Sequence, residues 1–152
     1  FRGKRKDTKE WVHGNLINNA FFNNDGFPIF YILDTDNIEY DCWEDIAEEI
    51  DSFEVIPETV GQCTGLRDKN GKLIFEGDLL RFTNTDNEQS IYKVFYDASE
   101  AGWRMQEIGL DDSDEVDEWE SGREYFELIG SAYDNPELLE VEKWKKYLSV
   151  SL

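Results

Sequence analysis

Proton transfer near neutral pH needs a group that titrates there, and this chain offers one imidazole, His13. Any mechanism that needs a general base near neutral pH would start there. The two thiols are Cys42 and Cys63. A nucleophilic cysteine needs a nearby cation to lower its pKa, and no Lys or Arg occurs from Glu10 to Leu66, so both are read as packing residues. Neither stands at zinc-ligand spacing from another Cys or from His13, which gives no support to a disulfide or zinc framework and suits a reducing compartment. Oxygen ligands are plentiful in Asp34-x-Asp36 and Asp112-x-Asp114-x-x-Asp117. Both lack the glycine at position six and the glutamate at position twelve of an EF-hand loop, so they are read as condensing counterions rather than holding a metal. Neither G-x-x-x-x-G-K nor G-x-G-x-x-G occurs, and Gly61, Gly65, Gly71 and Gly77 are expected at turns. The expectation is a protein without catalytic residue, metal or cofactor, and not an enzyme.

Charge is segregated. Residues 1–9 carry the cations Arg2, Lys4, Arg5, Lys6 and Lys9 against one acid, Asp7, whereas residues 10–66 carry thirteen acids and no cation. A second run between Arg104 and Arg123 holds eight acids: Glu107, Asp111, Asp112, Asp114, Glu115, Asp117, Glu118 and Glu120. These two segments match essentially the whole formal net charge of −20. Such a field repels nucleic acid and anionic lipid, so the basic start FRGKRK is expected to pair with the protein's own acids or a neighbouring subunit's. A run of 18 apolar residues is absent and the first residues lack the apolar centre of a signal peptide, so a soluble, cytoplasmic protein is expected.

The elements that would position these groups are mostly strands. At 152 residues, 39% hydrophobic and 14% aromatic, the length suits a single domain with a real core. Two short strands are expected around His13 and Gly14, then a turn at residues 23–26 and a buried strand over residues 27–33. Residues 41–52 predict an acidic amphipathic helix, capped by Asp41 with Glu44 and burying Trp43, Ile46, Ala47 and Ile50. Asp68-Lys69-Asn70-Gly71 predicts a tight turn joining residues 64–66 to 73–75, and Glu76-Gly77-Asp78 a second turn before residues 79–82. Further strands are expected at residues 91–96, 103–108 and 125–129, with residues 111–120 as a mobile loop. A C-terminal helix over residues 135–148 would start with Asn135 as N-cap and Pro136 in the first turn and dock through Leu138, Val141 and Leu148. Short strands at this spacing favour a small antiparallel barrel or roll.

Several ordered pieces carry a family resemblance: FRGK at residues 1–4, Glu10-Trp11, P-x-T-V-G-Q-x-T-G-L at residues 57–66, D-K-N-G-K at residues 68–72, E-G-D at residues 76–78, and the tail segment from Glu127 to Glu140 with Y-x-N-P-E-L-L at residues 133–139. Together they resemble the YopX-like family of small phage and prophage proteins. The resemblance spans residues 1–140, with gaps in the acidic segments. It implies an SH3-like barrel and transfers no catalytic residue. Relatives commonly carry Tyr where His13 stands and an aromatic residue where Cys63 stands, which weighs against chemistry at either. The fold class expected is mainly β (α+β), a small SH3-like antiparallel barrel or roll. One domain of residues 1–152 would comprise an N-terminal β segment (1–62, with the helix near 41–52), barrel strands (63–134) and the C-terminal helix (135–148).

The function expected is a non-enzymatic phage or prophage accessory protein that engages a host or phage protein, with Asp111, Asp112, Asp114, Glu115, Asp117 and Glu118 as partner surface. The alternative is an acidic DNA mimic that occupies the groove of a DNA-binding protein, and a third reading is a metal-assisted hydrolase. Direct nucleic-acid or membrane binding is not expected, and a homo-oligomer is left open. Trp11, Trp103 and Trp119 could line a peptide groove but are read first as core.

Overall fold

Alternating polar and apolar residues, rich in aromatic and branched types, fold here into antiparallel ladders. The computed structural model describes residues 1–34, 52–109, 117–118 and 125–140. It divides into two units, Phe1–Gln62 and Cys63–Leu152.

The first unit holds β1 (Arg2–Lys4), β2 (Trp11–His13), β3 (Asn15–Phe22), β4 (Pro28–Leu33) and β5 (Ser52–Val55), followed by a 3-10 turn at Pro57–Thr59. β1 pairs with β2, and β3, β4 and β5 form a sheet in that order. The two short strands expected around His13 are β2 and β3. Gly14 joins them at φ +150°, where a Cβ would collide with the Leu33 carbonyl oxygen. The charge of β1 conceals it in the sequence. Arg2 is buried with its guanidinium 4.4 Å from the centre of the Trp11 ring, an arrangement that shelters the side chain while retaining favourable electrostatics. The basic start is then stitched along β5: Lys6 N–H donates to the Glu54 carbonyl (2.9 Å) and Ile56 N–H to the Lys4 carbonyl (2.9 Å). The core of this unit is thin, with Ile32 and Val55 as its buried apolar side chains among the described residues. The β4 run, expected to be buried throughout, is half-buried except at Ile32, because its neighbours β3 and β5 pair along its two edges and cover neither face.

The second unit holds β6 (Cys63–Arg67), β7 (Leu73–Phe75), β8 (Asp78–Thr83), β9 (Gln89–Asp97), β10 (Gly102–Glu107), β11 (Asp117–Glu118) and β12 (Phe126–Ser131). β6 and β7 form the hairpin expected around Asn70-Gly71, and Gly77 supplies the second turn at φ +81°. β8 to β12 form one sheet in the order β11-β10-β9-β8-β12. Alternation along β8 sends Leu80 to a cluster with Ile74, Tyr92, Val94, Met105 and Phe126, while Leu79 joins Ile91 and Leu138 in a second cluster. Phe82, Tyr92 and Phe126 meet by their rings, Tyr92 standing nearly perpendicular to Phe126 at 5.6 Å.

Three expectations are corrected. The sheets are open rather than closed into a barrel: β11 and β12 end the five-stranded sheet, and β6–β7 is a separate pair. What meets β12 is the turn at residues 68–71, through Lys69 N–H to the Phe126 carbonyl (3.0 Å), and a turn cannot extend a ladder. The C-terminal helix does not start as predicted. Pro136–Leu139 is a 3-10 turn, Glu140 is extended (φ −100°, ψ 116°), and Asn135 makes no side-chain cap. Its side chain instead lies against Gly130, with Nδ2 donating to Glu137 Oε1 at 3.4 Å. Leu138 does dock in the second cluster; Val141 and Leu148 lie outside the described residues. Of the helix expected at 41–52, Ser52 opens β5 and the remainder lies outside them too. Within residues 111–120, read as a loop, Asp117–Glu118 pair with Arg104 and Met105 as β11.

Candidate functional site

Three carboxylates of the family-like motifs, Asp68, Asp78 and Glu127, are occupied with the fold. Asp68, in D-K-N-G-K, is 6% exposed. Its Oδ1 accepts the N–H groups of Asn70 (2.9 Å) and Lys72 (2.8 Å), and its Oδ2 accepts Leu128 N–H (3.0 Å) on β12. Burial pushes this carboxyl up, and the N–H groups of Leu128, Lys72 and Asn70 outweigh it and hold the group below the usual range. Asp78, in E-G-D, is buried and accepts Phe75 N–H at 2.8 Å. Glu127, which opens the tail segment, meets the Lys69 ammonium at 2.7 Å and the Arg81 guanidinium at 2.8 Å. The hydrogen bonds from Lys69 and then Arg81 lower it to about 2. These motifs describe a scaffold.

The residues whose types suggest chemistry are dispersed. His13 is exposed at the end of β2. Cys63 is a half-buried free thiol in β6, opposite Phe75; Cys42 lies outside the described residues. Trp11 carries the cations of β1 above its ring and Trp103 packs on the first apolar cluster with its ring edge-on to Tyr96 at 5.2 Å; Trp119 lies outside. Among the described residues no three His, Cys, Asp or Glu side chains gather where they could hold a metal, and no helix is long and apolar enough to cross a membrane. Of the expected partner surface, Asp111, Asp112, Asp114 and Glu115 lie outside the described residues, while Asp117 and Glu118 form β11 at the end of the sheet.

Two concave features of the first unit escape sequence reasoning. A cleft of about 290 Å³ is lined by Arg5, Lys6, Asp7, Ser52, Phe53 and Glu54. Its charges pair internally: Arg5 with Asp7 (2.7 Å), Lys6 with Glu54 (2.6 Å), and the Arg5 guanidinium 4.3 Å over the Phe53 ring. The Arg5 hydrogen bond, with Thr8 N–H, lowers Asp7 to about 2, and Glu54 holds Lys6 above the usual lysine value. With acid and base each neutralised by a partner, the cleft is suited to recognition of a polar surface rather than to proton transfer. A second groove, about 260 Å³, is lined by residues 27–30 and 55–57 with Lys6, Asn23 and Glu54. The sequence trace of both is the segregation of cations to residues 1–9, facing acids that follow.

A family model described as YopX protein matches residues 1–140. Among solved structures the chain is similar to protein EF1440 from Enterococcus faecalis, at 23% identity over 91% of this chain and 96% of that one, with a TM-score of 0.46. No curated protein matches.

Proposed function

The chain belongs to the YopX family, and from that premise we propose that it is a phage or prophage accessory protein, a non-enzymatic interaction module of the bacterial cytoplasm that engages a host or phage protein. One observation carries this reading: Asp68, Asp78 and Glu127, three carboxylates of the family-like motifs, serve backbone N–H groups and neighbouring cations. Those motifs are thereby accounted for as architecture, which leaves the acid-rich run of residues 111–118 as the feature that the scaffold would present to a basic partner. A DNA mimic is the second reading. It takes support from β11, whose pairing with Arg104 and Met105 gives Asp117 and Glu118 a fixed register, as imitation of a phosphate row requires.

The test is affinity capture from host lysate with and without the phage, using wild type and a variant in which Asp111, Asp112, Asp114, Glu115, Asp117 and Glu118 are changed to Asn or Gln. The variant is expected to fold and to lose association rate and salt dependence toward the captured partner. Capture of a DNA-binding protein displaced by duplex DNA would select the mimic reading. Equal capture by both proteins, at equal rate and salt dependence, would return the run to a solubilising role.

A further inference from the structure

The β3–β4 hairpin ends in an aromatic tip that this unit leaves uncovered. Asn23 Oδ1 accepts the N–H groups of Asp25 (3.0 Å) and Phe27 (2.9 Å), and Gly26 takes φ +80°, so the turn is rigidly closed. Phe22 and Phe27 flank it, 59% and 67% exposed. Large exposed rings at both ends of one turn are a candidate contact surface, and neither joins the apolar clusters of the described residues. Beside the tip of the same hairpin lies the groove of about 260 Å³ between residues 27–30 and 55–57, with Asn23 and Phe27 of the turn in its wall. It is smaller than the roughly 300–1,000 Å³ of small-molecule sites and is bordered by apolar residues and the Lys6–Glu54 pair.

One patch thus carries an exposed ring at the rim of a socket, the socket itself and both signs of charge. Lys6 uses one hydrogen bond toward Glu54 and an ammonium offers three donors. The exposed Asp25 carboxylate has no ion-pair partner among the described residues. A foreign partner needs only the complement of each feature, whereas a patch holding a feature and its complement together meets the requirement of a two-fold, self-complementary contact. We propose that the hairpin tip is an isologous interface with a second copy of this chain, Phe27 of each copy seating in the groove of the other and Asp25 of each meeting the other's Lys6. This contact is independent of any role of the acidic run. It also has an opposite salt dependence, because each copy carries a net charge of −20: added salt screens the repulsion between copies and favours the apolar contact.

Sedimentation equilibrium of the full chain over about 1–500 µM, at about 0.05 and 0.5 M NaCl, reads the association. A dimer is expected, tighter at the higher salt. Phe27→Ser, checked for native circular dichroism, should weaken it at least about tenfold, and Asp25→Lys should weaken it less. In a second arm, benzoylphenylalanine at position 27 should photo-crosslink to residues 28–30 or 55–57 of another copy, identified by mixing isotopically light and heavy chains. A monomer at every concentration, a dimer indifferent to Phe27→Ser, or crosslinks confined to one chain would each overturn the proposal. A dimer that persists when the six acids are neutralised, while lysate capture is lost, would support it and the role of the acidic run separately.

Discussion

Replacing Asp68 by asparagine separates a local turn from a long-range clip. The two backbone bonds inside the turn fall on Oδ1, from Asn70 and Lys72 N–H, whereas the backbone bond to β12 falls on Oδ2, from Leu128 N–H, 60 residues away in sequence, with a longer bond from the Asn70 side-chain amide (3.4 Å) beside it. Asparagine has one acceptor oxygen and is as good a turn former as aspartate. In Asp68→Asn the turn therefore keeps its two bonds, and an NH₂ group faces the Leu128 N–H. A hydrogen bond to a charged acceptor is worth about 1.5–3 kcal/mol, and this is the expected loss. Asp68→Ala removes all four acceptor contacts, three of them from backbone N–H groups, and should cost about 3–5 kcal/mol, less than the sum of its parts because contributions of groups on one side chain are not additive. Urea unfolding followed by near-UV circular dichroism, which reports the Trp103 and Tyr92 environment of the second unit, measures both. The reasoning fails if Asp68→Asn costs under about 0.5 kcal/mol, for then the turn alone matters and the clip to β12 contributes nothing. It also fails if Asn and Ala cost the same.

Glu127 adds a pH dependence: its carboxyl is depressed to about 2, so its contribution is present above the unfolded value of about 4.3 and is lost as pH falls from there toward 2. Allowing for screening of a partly exposed site, Glu127→Gln should cost about 1–2 kcal/mol at pH 7 and flatten the acid limb of a stability–pH profile. Gly77→Val, at φ +81° with Tyr133 Cε2 3.4 Å from the new Cβ, should destabilise by about 1–3 kcal/mol in thermal or chemical melts. Phe126→Ala, removing a ring packed on Phe82 and Tyr92, should cost about 3–5 kcal/mol and weaken near-UV dichroism. Millimolar Ca²⁺ should raise the melting temperature no more than about 0.5 M NaCl does, whereas saturable stabilisation at micromolar Ca²⁺ would establish a specific site.

Local grammar is readable where one turn or one strand decides the structure. Asn70-Gly71 and Gly77 are turn signals, Gly71 and Gly77 both taking positive φ; the first closes the β6–β7 hairpin and the second turns the chain from β7 into β8, where the sequence puts them. The E-G-D segment likewise opens β8. What cannot be read is which distant groups compete for a side chain. Asn135 and Pro136 spell a helix start, yet Asn135 is held against Gly130 and the chain leaves the turn at Glu140. Likewise, the D-K-N-G-K segment announces a turn but says nothing of Leu128, and the spacing of strands says nothing of which two edges stay unpaired, so it points to a closed barrel where the sheet remains open. Five cations in nine residues disguise β1, because a charged head and a buried stem have one letter between them. The grooves of the first unit escape for a related reason: a concavity is a property of neighbours in space, and residues 27–30 and 55–57 become neighbours only through the β4–β5 ladder.

The strand order β9-β8-β12 has a consequence for synthesis. β8 acquires one neighbour at once, through the hairpin to β9, but its other neighbour ends at Ser131. At translation rates of about 5–20 residues per second, the interval between completing β8 and completing β12 is roughly 2–10 s. During that interval the backbone of Leu80 and Phe82 offers an unfilled edge, beside apolar side chains still awaiting Phe126. A ribosome that stalls within the acid-rich stretch would hold the nascent chain in that state, so truncated products ending before β12 should be found with chaperones or in aggregates rather than as free, folded protein.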